Sequence, residues 1–287
     1  MNESISQQTK SLLTKHDFHL KKSLGQNLLV DPACLNRIAE AAKISKEDIV
    51  LEIGTGSGIL TKEIAKRAKQ VISYEIDKRI FEVAKEYLAG IDNIDLKNED
   101  FLKASLTPIP PAMNAGQASP MGRGGIKIVA NVPYYITTPI IEKIFENKGL
   151  FSTVVLTVQR EFAERMAAKP GTKQYGSFTI FVNYHSSPKI VFNIPKSAFL
   201  PQPDVGSAVI SMDIREKPKV AVNDEKTFFD IVRAAFGQRR KTLRNALLSK
   251  FDADVIDNAL TRSGIDGKRR GETLSIEEFS SLANKII

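Results

Sequence analysis

Asn131-Val132-Pro133-Tyr134-Tyr135 follows the apolar run Ile126–Ala130 and carries the most specific set of chemical groups in the chain. An Asn side-chain oxygen and a Pro backbone carbonyl in one tight turn can each accept a hydrogen bond. That suits a substrate group with two N–H donors, and the exocyclic amine of adenine is one. Its lone pair is delocalised into the ring, so the amine is a poor nucleophile until both N–H groups are held and the lone pair turns toward an electrophile. Pro133 fixes the turn, and Tyr134 offers a face for a base, a stack worth about 1–3 kcal/mol. No separate general base is needed, because the product ammonium is strongly acidic. An ordinary Asn-Pro turn uses the same residues, so the weight comes from what accompanies it.

Three further features accompany it. Val50-Leu51-Glu52-Ile53 runs into Gly54-Thr55-Gly56-Ser57-Gly58, an apolar strand ending in three alternate glycines with a helix behind them. Glycine is needed where the backbone turns sharply and no side chain can stand between it and a ligand. The dehydrogenase pattern Gly-x-Gly-x-x-Gly is not met, because position 59 is Ile. One strand later, Glu75-Ile76-Asp77 offers a carboxylate that can accept from both hydroxyls of a ribose. The next strand ends in Asn98-Glu99-Asp100-Phe101, where Asp100 can accept from an adenine amine and Phe101 can pack on the ring. Any one of these acids alone would be a solvated strand end. In this order they resemble the nucleoside-methyltransferase version of the α/β sheet, which implies S-adenosylmethionine as the ligand.

The elements that position these groups follow from hydrophobic period. Ile49–Ile53, Val71–Glu75, Ile94–Lys97, Ile126–Ala130 and Val154–Gln159 read as strands, and Ile59–Ala68, Lys78–Ala89 and Pro139–Asn147 as helices between them. Such alternation predicts an α/β domain with a largely parallel sheet. Phe178–Tyr184, Ile190–Ile194 and Ser207–Ile214 read as closing strands, and only helical periods follow Lys226. A domain boundary is expected around Lys217-Pro218-Lys219. Thr107–Gly125, rich in Pro, Gly, Ala and Ser, reads as a surface loop between two strands.

With 287 residues the chain has room for one large and one smaller domain. No apolar run is long enough to cross a bilayer, and the polar stretch Met1–Lys22 has no secretory apolar core. Cys34 is the only cysteine, which excludes an internal disulfide and fits a reducing, cytoplasmic setting. His16, His19 and His185 have no metal-ligand spacing and are read as solvated or structural. No metal is expected. The net charge of +8 suits a polyanionic partner only where the charge clusters. Between Ile231 and Lys250 stand Arg233, Arg239, Arg240, Lys241, Arg244 and Lys250 with no acid among them. Lys268-Arg269-Arg270 adds a second cluster, and Lys21 and Lys22 a third. Arg239, Arg240, Lys241 and Arg244 are the expected RNA contacts, as part of a phosphate-binding rim.

Taken together, the chain resembles the small-subunit ribosomal RNA adenine dimethyltransferases, the KsgA family, over nearly its whole length. The resemblance rests on Lys22-Ser23-Leu24-Gly25-Gln26-Asn27-Leu28-Leu29, Glu52-Ile53-Gly54-Thr55-Gly56, Glu75-Ile76-Asp77, Asp100 and Asn131-Val132-Pro133-Tyr134. It continues through Pro195–Ser207 and Phe236-Gly237-Gln238-Arg239-Arg240-Lys241. It implies a Rossmann-like S-adenosylmethionine-dependent methyltransferase domain, residues 1–215, and a small all-helical C-terminal RNA-binding domain, residues 216–287. It also implies that Asn27 and Leu29 cover the methionine end of the cofactor, Gly54 and Gly56 line it, Glu75 holds the ribose and Asp100 the adenine. Asn131 would touch both cofactor and target amine, and Phe199 would stack on the target base opposite Tyr134. The implied substrate is a pair of adjacent adenosines in the 3′-terminal hairpin loop of 16S rRNA, in the 30S subunit or its precursor. A monomer is expected. The family usually has an aromatic residue where this chain has Leu28. The competing readings are a 23S rRNA methylase of the antibiotic-resistance type, a DNA adenine methyltransferase and a non-catalytic assembly factor. DNA enzymes tend to carry Asp/Asn-Pro-Pro-Tyr, whereas Val132 stands before Pro133 here. An assembly factor that had lost catalysis would be free to lose Glu75, Asp100 or Asn131, and all three are present.

Overall fold

The computed structural model describes residues 4–18, 20, 26–106 and 125–286. His19, Lys21, Lys22 and all of the expected 107–125 loop except Gly125 lie outside these residues. The chain divides into two compact units, one of residues 1–163 and 189–214, the other of residues 164–188 and 215–287. The second unit thus takes in residues 164–188, which lie within the 1–215 domain expected from sequence.

The strands are β1 (Leu28–Leu29), β2 (Ile49–Ile53), β3 (Gln70–Tyr74), β4 (Ile94–Lys97), β5 (Ile126–Asn131), β6 (Phe151–Gln159), β7 (Ser186–Ile194), β8 (Phe199–Leu200) and β9 (Ser207–Ile214). Seven of them form one sheet in the order β4-β3-β2-β5-β6-β9-β7, while β1 and β8 pair separately. Strands β4, β3, β2, β5 and β6 run parallel, and β9 is antiparallel to β6. The helices of the first unit are α1 (Ile5–Lys15), α2 (Pro32–Ala41), α3 (Ile59–Ala65), α4 (Lys78–Tyr87) and α5 (Thr137–Glu146), and α6 (Arg160–Met166) begins in it.

Alternation along the central strands explains why the sheet is covered on both sides. Val50, Val71, Val129, Val155 and Val209 belong to a core shared with Leu13 of α1, Leu35 and Ile38 of α2, Ile64 of α3 and Val83 of α4. The intervening Leu51, Ile72, Ile128, Leu156 and Ile210 are also buried, none more than 2% exposed. A sheet apolar on both faces is the parallel type with helices packed over it. Strand order reverses between β2 and β5, because β3 and β4 build outward from β2 while β6 builds outward from β5. Open α/β sheets bind ligands in the crevice at the carboxyl ends of such strands. The glycine run follows β2, and Asn131 closes β5.

The second unit is helical, with α7 (Ser177–His185), α8 (Glu225–Gly237), α9 (Leu243–Leu247), α10 (Ala253–Ser263) and α11 (Ile276–Ile286). Its core joins Ile180, Tyr184, Phe228, Ile231, Leu247, Ile256 and Phe279. The strand expected over Phe178–Tyr184 is helix α7. Its Phe, Ile, Val and Tyr content favours strand, but the tertiary setting overrides that preference. The Thr179 hydroxyl accepts from the Gly176 N–H at the helix start (3.1 Å). Phe178, Phe181 and His185, spaced by three and four residues, then pack in sequence, the first pair tilted at 6.1 Å and the second edge-on at 5.1 Å. His185 is buried in this aromatic group, and His16 sits 2.9 Å from Glu86.

Candidate active site

A cavity of about 280 Å³ opens in the first unit at the reversal of strand order. Asn27, Leu29, Gly54, Gly56, Glu75, Asp100, Asn131 and Pro133, eight of the residues singled out from sequence, all line it. They arrive from five places in the chain, four of them brought together by the parallel strands and the fifth, Asn27 and Leu29, by the β1–β8 pair.

The glycine loop forms its floor. Gly54 and Gly56 take φ of +82° and +55°, a region that side chains disfavour. A Cβ on Gly56 would lie 2.8 Å from Leu28 Cδ2, so glycine here also makes room for the β1 strip. Leu28 thus packs directly on the loop. Gly54 N–H donates to the Tyr74 carbonyl (2.8 Å), tying the turn to β3.

Glu75 is 8% exposed and holds the loop from the other side. Its Oε2 accepts from the Gly56 N–H and its Oε1 from the Asp77 N–H, both at 2.9 Å. Burial raises its pKa, and the two backbone donors oppose that rise. Each oxygen keeps a further lone pair for a diol. Asp77 caps α4 through the Arg79 N–H (2.9 Å) and accepts from the Gln26 amide (3.2 Å).

Asp100 and Phe101 stand on the turn after β4. Phe101 is 4% exposed and meets Tyr74 edge-on at 5.8 Å. Lys143 of α5 secures this turn by donating to the carbonyls of Leu102 (2.9 Å) and Ala104 (2.7 Å) and sitting 5.3 Å from the Phe101 ring centre. Desolvation lowers the Lys143 pKa, and the Asp100 charge opposes this.

At the far wall the Asn131 amide donates to the Asn27 carbonyl (3.0 Å), which fixes its rotamer and leaves Oδ1 as the acceptor end. The Pro133 carbonyl accepts from Ile136 N–H at 3.2 Å, in a single 3₁₀ turn over Tyr134–Ile136, and retains its second lone pair. Tyr134 is half-buried, its hydroxyl 2.6 Å from Ser207 Oγ at the start of β9. Tyr134 and Phe199 are not among the residues lining the cavity. Phe199 is 3% exposed and pairs with Leu29 across β8 and β1, so its ring is covered.

Beneath the cavity lies a group that the sequence reading did not single out. Glu52, fully buried in β2, accepts at Oε2 from the hydroxyls of Thr61 and Ser73, both at 2.6 Å. The Ser73 hydroxyl is in turn 2.6 Å from that of Thr55, inside the glycine loop. Burial drives the Glu52 pKa up to about 8, against those two hydrogen bonds and with the nearby Glu75 charge reinforcing the rise. A neutral acid therefore links β2, β3, α3 and the loop. Its signal was an acid inside an otherwise apolar strand.

The acid-free run in the second unit does not stay acid-free in space. Asp230 receives Lys226, Arg233 and Lys250 at 3.0, 2.6 and 3.6 Å, which holds its carboxyl down at about 2. Arg239 pairs with Glu272 (2.9 Å) and donates to the Lys173 carbonyl (3.1 Å), and Arg244 pairs with Asp257 (2.6 Å). Arg240 and Lys241 are exposed. In the second cluster Arg269 is held by Glu278. Among the described residues there is no group of acids, histidines and cysteines suited to a metal, and no helix long and apolar enough to cross a membrane.

Comparison with known proteins agrees with this geometry. The family model described as ribosomal RNA adenine dimethylase matches residues 17–287. The ribosomal RNA small subunit methyltransferases A of Bacillus mycoides (strain KBAB4) and Bacillus cereus (strain AH187) are each 46% identical over 285 residues, covering 97% of this chain and 95% of theirs. Among solved structures, a dimethyladenosine transferase from Plasmodium falciparum is similar with a TM-score of 0.70 and 29% identity, covering 89% of this chain and 95% of its own. The 23S rRNA methyltransferase ErmE is similar with a TM-score of 0.69 and 29% identity, covering 90% and 99%. A cavity at the strand reversal, walled by a glycine loop, two strand-end carboxylates and an Asn-Val-Pro-Tyr turn, together with a match over almost the full length, assigns the chain to the ribosomal RNA adenine dimethylase family.

Proposed function

We propose that this enzyme dimethylates the N6 amines of two adjacent adenosines in the 3′-terminal hairpin loop of 16S rRNA, using S-adenosylmethionine, within the 30S subunit or its precursor. The observation that carries the reading is the convergence of Glu75, Asp100, Asn131 and Pro133 on one cavity at the reversal of strand order.

The cavity suits the cofactor on its own terms. Gly54 adds no side chain to the floor, Gly56 leaves room for Leu28, and Glu75 is a nearly buried acid with lone pairs left for a ribose. Asp100 would receive the adenine amine, while Asn27 and Leu29 would cover the methionine end. When bound, S-adenosylmethionine supplies an electrophilic methyl group with its own leaving group. The protein's part is alignment and electrostatics. The Asn131 Oδ1 and the Pro133 carbonyl accept from the two N–H groups of the target amine and turn its lone pair toward the cavity. The Asn27 carbonyl holds Asn131 in the rotamer that allows this. Tyr134 and Phe199 are the proposed stacking partners of the target base, and Phe199 must first be uncovered. Arg239, Arg240, Lys241 and Arg244 are the proposed phosphate contacts. We place the enzyme in the cytoplasm, as a monomer.

The 16S substrate, rather than 23S rRNA, is supported by 46% identity to small-subunit enzymes against 29% to ErmE. Incubation with labelled cofactor and 30S particles lacking adenine dimethylation, 23S rRNA or duplex DNA tests this. Label is expected in the small-subunit RNA. Label in DNA or 23S rRNA alone would overturn the assignment.

A further inference from the structure

Tyr135 is the second ring of the Tyr134-Tyr135 pair, and its setting differs from that of the first. It lies on the cavity lining, yet 68% of it is exposed, an unusual degree for a large aromatic residue in a folded protein. Its side chain has no hydrogen bond or ring contact among the described residues, whereas the Tyr134 hydroxyl is tied to Ser207. The backbone beneath it is fixed. Ile136 N–H donates to the Pro133 carbonyl (3.2 Å), and the Thr137 hydroxyl donates to the Tyr134 carbonyl (3.1 Å). A ring on a fixed turn loses little freedom when something stacks on it. Core formation does not account for Tyr135, because the neighbouring Val132, Thr137 and Ile140 are the buried residues of this segment.

We infer that Tyr135 stacks on a nucleotide flanking the target adenosine and so steadies the RNA strand beside the cavity. The inference rests on the RNA reading of the cavity above. An adenine can reach the Asn131 and Pro133 acceptors only by leaving its own stack, which exposes the faces of its neighbours to water. An exposed aromatic ring at the cavity margin restores one of those contacts, and it does so without choosing among bases, since every base has a π-face. The occupant is thus a base of the substrate strand beside the one in the cavity. Recognition is by stacking rather than hydrogen bonding, so the ring matters and the hydroxyl does not.

The test uses the full-length enzyme and a 30S particle reconstituted with 16S RNA carrying 2-aminopurine, whose fluorescence is quenched by stacking, on one side or the other of the target. Wild type is expected to leave one of the two probes quenched while methylating the target. Tyr135→Ala should brighten that probe and lower kcat/KM on the order of 10-fold, mainly through KM for the particle. Tyr135→Phe and Tyr135→Trp should restore both the quenching and kcat/KM to within about 3-fold, which mere support of the turn would not require. Equal fluorescence and equal kcat/KM for wild type and Tyr135→Ala would overturn the inference, as would loss of activity in Tyr135→Phe. If wild type methylates none of these particles, the RNA reading itself fails, an outcome separate from the failure of the stacking role.

Discussion

Replacing Glu52 by Gln should make the protein gain stability relative to wild type as pH rises from about 5 to about 8. Glu52 is fully buried, and both of its hydrogen-bond partners, the Thr61 and Ser73 hydroxyls, donate to the same oxygen. Gln presents one acceptor oxygen in the same shape, so that network survives the change. What disappears is the ionisable proton. A carboxyl raised in the fold from 4.5 to about 8 keeps a proton that the unfolded chain has already released. Its burial therefore costs nothing below about pH 4.5, and the cost grows until the folded pKa is passed. At about 1.4 kcal/mol per tenfold change in proton concentration, the upper bound is about 5 kcal/mol at pH 8. Solvent penetration and relaxation reduce this, and a difference of about 2–3 kcal/mol is the working expectation. Denaturant unfolding of both proteins at pH 5, 6, 7 and 8 measures it, with the first unit's transition followed separately. A gap between wild type and Glu52→Gln that stays constant with pH would refute the neutral-acid account. An offset between the two proteins already present at pH 5 reports instead how the Gln amide N–H groups fit the buried, unpartnered position of Oε1.

Other expectations follow from the same geometry. Glu75→Gln should weaken S-adenosylmethionine binding by about 1.5–3 kcal/mol, because an amide cannot accept from Gly56, Asp77 and a ribose together. Unchanged affinity by calorimetry would rule out the ribose role. Lys143→Met should free the turn bearing Asp100 and Phe101 and reduce cofactor affinity about 10-fold with kcat at saturation little changed, a gap that Lys143→Arg should partly close. Equal cofactor affinity in Lys143→Met would show that the turn holds itself. Replacing Arg240 and Lys241 together by Ala should flatten the dependence of log K for RNA on log salt by about 1.4, at about 0.7 per single-strand phosphate contact. A filter-binding series showing the wild-type slope would make these two residues ordinary surface.

Much of the first unit could be read before folding because its signals are local. The parallel strands declare themselves as apolar runs, and the glycine run, Glu75, Asp100 and Asn131 each sit at a strand end where sheet topology must gather them. Helix α7 was misread because β-branched and aromatic residues favour strand, while the aromatic partners that make it helical, such as Phe228 and Phe229, lie more than 40 residues away. The basic run from Ile231 to Lys250 looked unpaired because its acids lie outside the window: Asp230 just before it, Asp257 and Glu272 beyond it. Lys143 is hidden for the same reason, and Glu52 shows in the sequence only as an acid within an apolar strand, its hydroxyl partners lying elsewhere. Their roles are contacts across the fold, and no spacing within one element encodes them.

The central claim is that Asn131 aligns the adenine amine for methyl transfer. Because its contribution is greatest as charge develops on the amine, its loss should appear in the chemical step rather than in binding. Single-turnover transfer of labelled methyl to 30S particles lacking adenine dimethylation, followed by mass spectrometry of the digested RNA, measures that step. Wild type should yield N6,N6-dimethyladenosine. Asn131→Ala should make it about 10²-fold more slowly or worse, with particle affinity nearly unchanged, since phosphate contacts supply most of the affinity. A near wild-type chemical step in Asn131→Ala would mean that the Asn131–Tyr134 segment is only a turn and that the alignment chemistry lies elsewhere.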